Sequence, residues 1–120
     1  MNGWLLVAAI NGFLAVAFGA FAAHGLSGRL DAHALQTFET GARYHMYHAL
    51  AIGLAALTLR NAPASAAAWF FLFGIVLFSG SLYLLAVTGI RMLGFVTPFG
   101  GLSFLIGWAL LAWAAIRAET

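Results

Sequence analysis

The sequence predicts an all-α polytopic membrane protein whose four transmembrane helices form an up-and-down bundle. Of its 120 residues, 64% are hydrophobic and only 7% are charged. Soluble domains carry roughly a quarter charged residues, so this chain has too few polar side chains to cover a surface exposed to water. The apolar residues also fall into four long runs separated by short polar segments, and we therefore expect lipid to surround the protein.

Each apolar run has the length of a membrane-spanning helix. About 20 residues at ~1.5 Å per residue cross the ~30 Å of hydrocarbon in a bilayer, and a helix satisfies its own backbone amides there. We predict a single domain, 1–120, with helices at about 4–23, 41–59, 65–87 and 98–116. In the first loop, Leu30, Ala34 and Phe38 have helical spacing, which predicts an additional short helix at the membrane interface.

The predicted helix count determines which loops share a side of the membrane. Four crossings place both termini and the loop at Arg60 on one side, and the first and third loops on the other. Arg60, Arg117 and the terminal amine lie on the first side, whereas Arg29, Arg43 and Arg91 lie on the second. Because positive charge marks the cytoplasmic side, this even distribution does not select an orientation.

Composition and motifs exclude several classes of function. There is no cysteine, which excludes disulfides and thiolate metal sites, and a net charge of +2 spread over several loops does not predict nucleic-acid binding. The sequence contains no nucleophile–base constellation, phosphate-binding loop or pair of inward carboxylates. It therefore does not favour an enzyme.

Small residues recur at helical spacing within the predicted spans. Helices in lipid associate through close packing of small residues and through interhelical hydrogen bonds. The candidate helix-packing residues are Gly12, Gly19, Ser79, Tyr83, Ser103 and Gly107. We interpret these positions as packing seams rather than as the lining of a pore, and they predict a bundle that also packs against a partner.

The second predicted helix carries two histidines at membrane depth. His48 precedes Arg60 by twelve residues, which corresponds to ~18 Å along a helix, and His45 lies one turn farther. With Tyr44 these rings fall on one helical face, and His24 closes the first helix on the same side of the membrane. The candidate cluster His24, Tyr44, His45 and His48 is predicted either to fix the bundle by hydrogen bonds or to bind a ligand.

An acidic and a basic residue stand one helical turn apart at the start of the second predicted helix. Glu39 precedes Arg43 by four residues, which is the favoured order for an ion pair along a helix. We interpret Glu39 and Arg43 as a structural ion pair at the membrane interface, with the Arg43 guanidinium extending toward water.

Four segments together resemble a known family. They are FGAFAAHGL at 18–26, FETGARYHMYHALA at 38–51, FSGSLY at 78–83 and VTPFGG at 96–101. This ordered set resembles the YgdD-like family of small inner-membrane proteins, a domain of unknown function. The resemblance implies four transmembrane helices, residence in the bacterial plasma membrane and cytoplasmic termini. The family motif is matched at His24, Glu39, Gly41, Tyr44, His48, Ser79, Tyr83, Thr97 and Pro98.

Two hypotheses of function follow from these features. The first is a non-enzymatic membrane bundle, with the lipid bilayer and either a second copy or another membrane protein as its partners. The second is a small-ligand protein that uses the histidine cluster on the side of the first and third loops. A quinone, haem, metal ion or lipid is a candidate ligand, with transport or proton transfer as a consequence. The sequence identifies no cofactor.

Overall fold

The computed structural model describes residues 1–58 and 60–118, and four long helices account for most of them. We number them α1 (Gly3–Leu26), α2 (Ala32–Thr58), α3 (Ala62–Thr88) and α4 (Thr97–Arg117). A 3-10 turn, Arg91–Phe95, leads into α4. No strand occurs in the described part of the chain, so the predicted all-α class is confirmed.

Short polar side chains start three of the helices. Asn2 precedes α1 and Asn61 precedes α3, and each side-chain oxygen accepts a hydrogen bond of 3.0 Å from a backbone N–H three residues on. Asp31 does the same for α2, at 2.8 Å. These caps satisfy amides that have no partner within their own helix. Gly89 ends α3 in the left-handed conformation that glycine adopts without steric cost.

The second helix starts earlier than the sequence predicts. The short interfacial helix predicted in the first loop is not a separate element, because α2 runs without a break from Ala32 to Thr58. Phe38 explains the continuity, since it packs with Ala22 and Leu26 of α1 and Ala86 of α3 and is almost fully buried. This tertiary contact stabilises the helix through the segment that was predicted to be a loop. The predicted helix end at 59 lies outside the described residues.

The helices pack in sequence order around α2 and α3. Helix α1 lies against α2, α2 lies against α3, and α4 lies against α3. One end of the bundle, here the terminal end, carries the starts of α1 and α3 and the ends of α2 and α4. There the Asn2 amide donates to the Ala56 carbonyl, and the Asn61 amide donates to the Ala114 carbonyl. The opposite end, which we call the loop end, carries residues 27–31 and 89–95.

Three of the four helices are long and apolar enough to cross a membrane. They are α1, α3 and the segment Arg91–Arg117 that contains α4. Helix α2 is not among them, since Arg43, His45 and His48 lower its hydropathy. Length and composition thus support three of the four predicted spans.

The predicted packing glycines differ in how closely a neighbour approaches them. A Cβ on Gly107 would lie 2.6 Å from the ring of Phe71, so α4 and α3 meet closely there. A Cβ on Gly19 would reach Ala42 of α2 at 4.0 Å, which is an ordinary contact. Gly12 has no atom within 4 Å of such a Cβ, so the described structure gives it no close neighbour.

Helix α3 contains one wide turn at Ile75–Ser79, where the backbone adopts π-helical hydrogen bonding. Such turns insert one extra residue into a helix and occur often at functional positions. Here the wide turn ends at Ser79, whose hydroxyl donates to the Gly41 carbonyl of α2 at 2.7 Å. The wide turn therefore ends at the shorter of the two hydrogen bonds that the described residues form between α3 and α2.

Candidate functional site

His45 joins three helices near the centre of the bundle. Its Nε2 lies 2.9 Å from Oδ1 of Asn11 on α1, and its Nδ1 lies 2.9 Å from the hydroxyl of Tyr83 on α3. Only 3% of the residue is exposed. One side chain of α2 therefore bridges α1 and α3.

The partners determine which nitrogen of His45 carries the proton. The Asn11 amide nitrogen donates to the Val7 carbonyl at 2.9 Å, which orients the amide oxygen toward His45. That oxygen only accepts, so Nε2 of His45 donates. In a neutral ring Nδ1 then accepts, and the Tyr83 hydroxyl donates to it.

His48 has the opposite arrangement. Its Nδ1 lies 2.8 Å from the backbone carbonyl of Tyr44, which can only accept, so Nδ1 carries the proton. Its Nε2 accepts a hydrogen bond of 3.1 Å from the indole N–H of Trp108 on α4, which can only donate. The ring also stacks on Phe104, with ring centroids 3.5 Å apart and planes 5° from parallel.

His48 is thus neutral, the neutral form of His45 has the opposite tautomer, and both nitrogens of each ring are engaged. Among the described residues no buried side-chain nitrogen or oxygen lacks a hydrogen-bond partner. A metal ion or a haem iron needs a free imidazole lone pair, and here each lone pair already accepts a bond from Tyr83 or Trp108. The geometry suits rings that hold helices together in a nonpolar medium.

The structure does not gather the four residues of the predicted cluster. Tyr44 stacks beside His48, with centroids 6.2 Å apart, but His45 turns away toward Asn11 and Tyr83. His24 is exposed at the loop end, in the last turn of α1. Within residues 1–58 and 60–118, no three histidine or acidic side chains are close enough to share a metal ion.

Hydroxyl groups supply further bonds between helices. The Ser103 hydroxyl of α4 donates to the Phe70 carbonyl of α3 at 2.7 Å, and the hydroxyls of Ser81 and Thr97 lie 2.6 Å apart. With Ser79, these bonds tie α3 to both of its neighbours. Sequence reasoning missed Trp108, although its place mid-helix, far from the interfaces where tryptophan is enriched, was an available signal.

The predicted partners Glu39 and Arg43 both lie on the exposed face of α2. The Arg43 guanidinium donates to the Thr40 hydroxyl at 3.4 Å. No ion pair joins Glu39 to Arg43 in the part of the chain that the structure describes. Tyr47 lies on the same face, 49% exposed, and its hydroxyl has no hydrogen bond to a described residue.

Two cavities lie outside this network. A cavity of about 730 Å³ at the loop end lies between the first loop and the end of α3, and Arg29, His33 and Arg91 line it. A cavity of about 880 Å³ at the terminal end lies between α1 and α3. None of the predicted cluster residues lines either cavity.

Comparison with known proteins identifies the family. Residues 18–101 match the family model described as "Protein of unknown function (DUF423)". The chain belongs to the DUF423 family. The resemblance inferred from the four sequence segments is thereby confirmed. Membership covers the segments that contain His24, His45, His48 and Tyr83.

Full-length relatives in the DUF423 family carry membrane names. The chain is 45% identical to the UPF0382 membrane protein YwdK of Bacillus subtilis, over 98% of each chain. It is 48% identical to the UPF0382 inner membrane protein YgdD of Escherichia coli K12, over 96% of this chain and 90% of YgdD. It is 46% identical to a UPF0382 membrane protein of Haemophilus influenzae, over 99% and 98%. No solved structure matches. The chain is a membrane protein.

Proposed function

We propose that α2 also crosses the membrane, so that the protein is a multi-pass, four-span bundle of the bacterial plasma membrane. Three apolar helices surround the two histidine rings of α2, and the hydrogen bonds of His45 and His48 shield those rings from lipid. A polar ring that faces protein does not incur the full cost of a ring in hydrocarbon. The Bacillus and Escherichia relatives, whose printed names are membrane and inner membrane protein, support the location.

We further propose that the protein is a non-enzymatic bundle that self-associates through the exposed face of α2. The observation that carries this proposal is that Arg43, Tyr44 and Tyr47 are exposed on that face. Tyr47 lies eleven residues from Thr58, which places it ~16 Å along the helix and near mid-membrane. Lipid offers no partner to a phenol at that depth, whereas a second helix does.

Charge on the same face favours a second copy as the occupant. Glu39 and Arg43 stand one turn apart without an ion pair between them in the described structure. In a two-fold symmetric dimer, Glu39 of each copy can meet Arg43 of the other. The face is thus complementary to itself.

Cysteine cross-linking in native membranes tests this proposal, because the wild-type chain contains no cysteine. A Tyr47→Cys variant is expected to form a disulfide-linked dimer on mild oxidation. Phe13→Cys is the matched control, since Phe13 lies at a similar depth on α1 and is 73% exposed. Equal cross-linking of both variants, or none at Tyr47→Cys, contradicts a dimer through α2.

A charge swap separates a second copy from a different partner protein. Arg43→Glu alone is expected to reduce dimer yield, because it places two acidic residues opposite each other. The double variant Glu39→Arg, Arg43→Glu restores opposite charges within a homodimer. Recovery of the dimer in the double variant supports self-association. Loss that persists in the double variant indicates a partner of another sequence.

The ligand hypothesis has one specific support at a different place. The loop-end cavity of about 730 Å³ is lined by Arg29, His33, Arg91 and also Asp31, whose Oδ1 accepts from the Ala34 amide, and its size is within the range of small-molecule sites. We propose it as the second candidate function, with an anionic solute as the ligand class. Equilibrium binding of such a solute to the Arg29→Gln and Arg91→Gln variants tests this proposal. Binding that both variants leave unchanged would contradict it.

A further inference from the structure

We propose that the cavity at the terminal end holds one acyl chain of an anionic phospholipid, whose phosphate is bound by Arg60. This site goes beyond the dimerisation proposed above and rests only on the membrane location of the protein. The cavity measures about 880 Å³ and lies between α1 and α3, with α2 as its back wall. It combines an apolar interior with two cationic groups at its mouth, the Arg60 guanidinium and the Met1 α-amino group.

The lining of the cavity changes from polar to apolar along the bundle axis. Arg60, Asn61 and Ser65 lie near the terminal end, where the lipid headgroups are expected. Ala68 and Leu72 lie progressively deeper, and Leu72 is ten residues into α3, which corresponds to ~15 Å of helix. This gradient matches a phospholipid, which places a charged headgroup at the interface and a hydrocarbon chain below it.

Other polar groups at the mouth are already engaged. Asn61 accepts from the Ala64 amide and donates to the Ala114 carbonyl, and Asn2 is bound in the equivalent way by Leu5 and Ala56. The Arg60 guanidinium, by contrast, makes no hydrogen bond or ion pair to any residue that the structure describes. No carboxylate lines the cavity among those residues. The charge at the mouth therefore favours a phosphate over a cationic ligand.

Two tryptophans explain why the cavity between α1 and α3 suits an acyl chain rather than a helix. Trp4 of α1 and Trp69 of α3 meet edge to face with centroids 4.9 Å apart, and the Trp4 indole donates to the Ser65 hydroxyl at 3.4 Å. These large side chains separate the two helix backbones at the interface. Side chains that line an unfilled gap between helices lack packing contacts. Where such a gap opens to the bilayer, an acyl chain of a surrounding lipid can fill it.

Native mass spectrometry of the delipidated protein tests this site. The protein is mixed with equal amounts of phosphatidylglycerol and phosphatidylcholine, and lipid adducts are counted separately on monomer and dimer peaks, so that a failure of dimerisation is visible independently. Wild type is expected to hold one phosphatidylglycerol at several-fold higher occupancy than phosphatidylcholine. Arg60→Gln is expected to lower phosphatidylglycerol occupancy to the phosphatidylcholine level. Excess glycerol phosphate is expected not to displace the lipid, because it has no chain.

Two further variants keep the test decisive. Arg117→Gln removes the same charge at the terminal end from a residue that does not line the cavity, and is expected to retain the wild-type preference. Ser65→Trp fills the cavity from an exposed position and is expected to reduce the occupancy of both lipids while Arg60 remains. Equal occupancy of the two lipids on wild type overturns the proposal, as does identical behaviour of Arg60→Gln and Arg117→Gln. Displacement by glycerol phosphate also overturns it, since the site then recognises a free phosphate.

Discussion

At the scale of single residues, the two histidines of α2 show how polar rings are satisfied inside an apolar helical bundle. Each ring uses one nitrogen as donor and the other as acceptor, and the partners come from all three neighbouring elements or from α2 itself. Interhelical hydrogen bonds in membranes average about 0.6 kcal/mol and reach about 1.7 kcal/mol. His45 makes two such bonds, and therefore contributes to stability and to the choice of helix partners.

Substitution of Tyr83 by phenylalanine is expected to lower the free energy of unfolding by about 0.6–1.7 kcal/mol, because His45 loses its hydroxyl donor without a change in packing volume. Denaturation in mixed micelles measures the effect. Tyr47→Phe removes a hydroxyl that has no hydrogen-bond partner among the described residues, and is expected to leave the unfolding of the monomer unchanged. Equal effects of the two substitutions would show that the His45–Tyr83 bond does not stabilise the bundle.

At the scale of helices, close contact depends on a few glycines of α4. A Cβ on Gly100 would collide with the backbone nitrogen and Cα of Phe78, atoms that cannot move without displacing α3. A Cβ on Gly107 would enter the ring of Phe71, which is fully buried. The α3–α4 interface therefore depends on the absence of side chains at these two positions, as is usual for helices packed in membranes.

Gly100→Ala is expected to destabilise the bundle by about 1–3 kcal/mol or more, as overpacking does in other well-packed cores. The new Cβ would meet the backbone of Phe78, which cannot give way as a side chain does. Gly101→Ala is the matched control, because its Cβ would lie 3.9 Å from the nearest atom of Phe78. That neighbouring substitution is expected to be neutral or slightly stabilising. Thermal unfolding in detergent compares the two, and similar melting temperatures would refute the contact.

At the scale of the whole molecule, the two helical hairpins are fastened in the same way at the terminal end. Asn2 caps α1 and donates to the end of α2, and Asn61 caps α3 and donates to the end of α4. Each asparagine thus satisfies unpaired groups of two helices at once. This arrangement places residues 27–31 and 60–62 at opposite ends of the bundle, and in the proposed four-span topology they face opposite sides of the membrane.

Single-cysteine labelling tests this topology together with the orientation that the family resemblance implies, in which the termini are cytoplasmic. Ser27→Cys and Ala62→Cys introduce one exposed thiol at each end of a chain that otherwise has none. A membrane-impermeant maleimide added to intact cells is expected to label Ser27→Cys only. Labelling of Ala62→Cys alone would reverse the orientation, and labelling of both would mean that α2 does not cross.

Composition and the spacing of apolar runs were sufficient to predict the helical class, the membrane environment and the family, because lipid imposes helices on any long apolar segment. They also led to the prediction that Tyr83 and Ser79 take part in helix packing, since polar groups within spans need partners. The start of α2 was predicted nine residues late, because Phe38 is buried by residues of two other helices. Local spacing contains no information about such contacts.

Tertiary structure alone decided how the polar residues are paired. Sequence spacing placed His45 and His48 on one helical face, but a difference of about 60° around the helix separates them enough for His45 to reach α1 and α3 while His48 reaches α4. Trp108 becomes a partner of His48 only when the helices are assembled, whereas the Tyr44 carbonyl lies one turn earlier on the same helix. The pairing of side chains depends on how each helix is rotated about its axis and on which helices are neighbours. Packing across the bundle sets both.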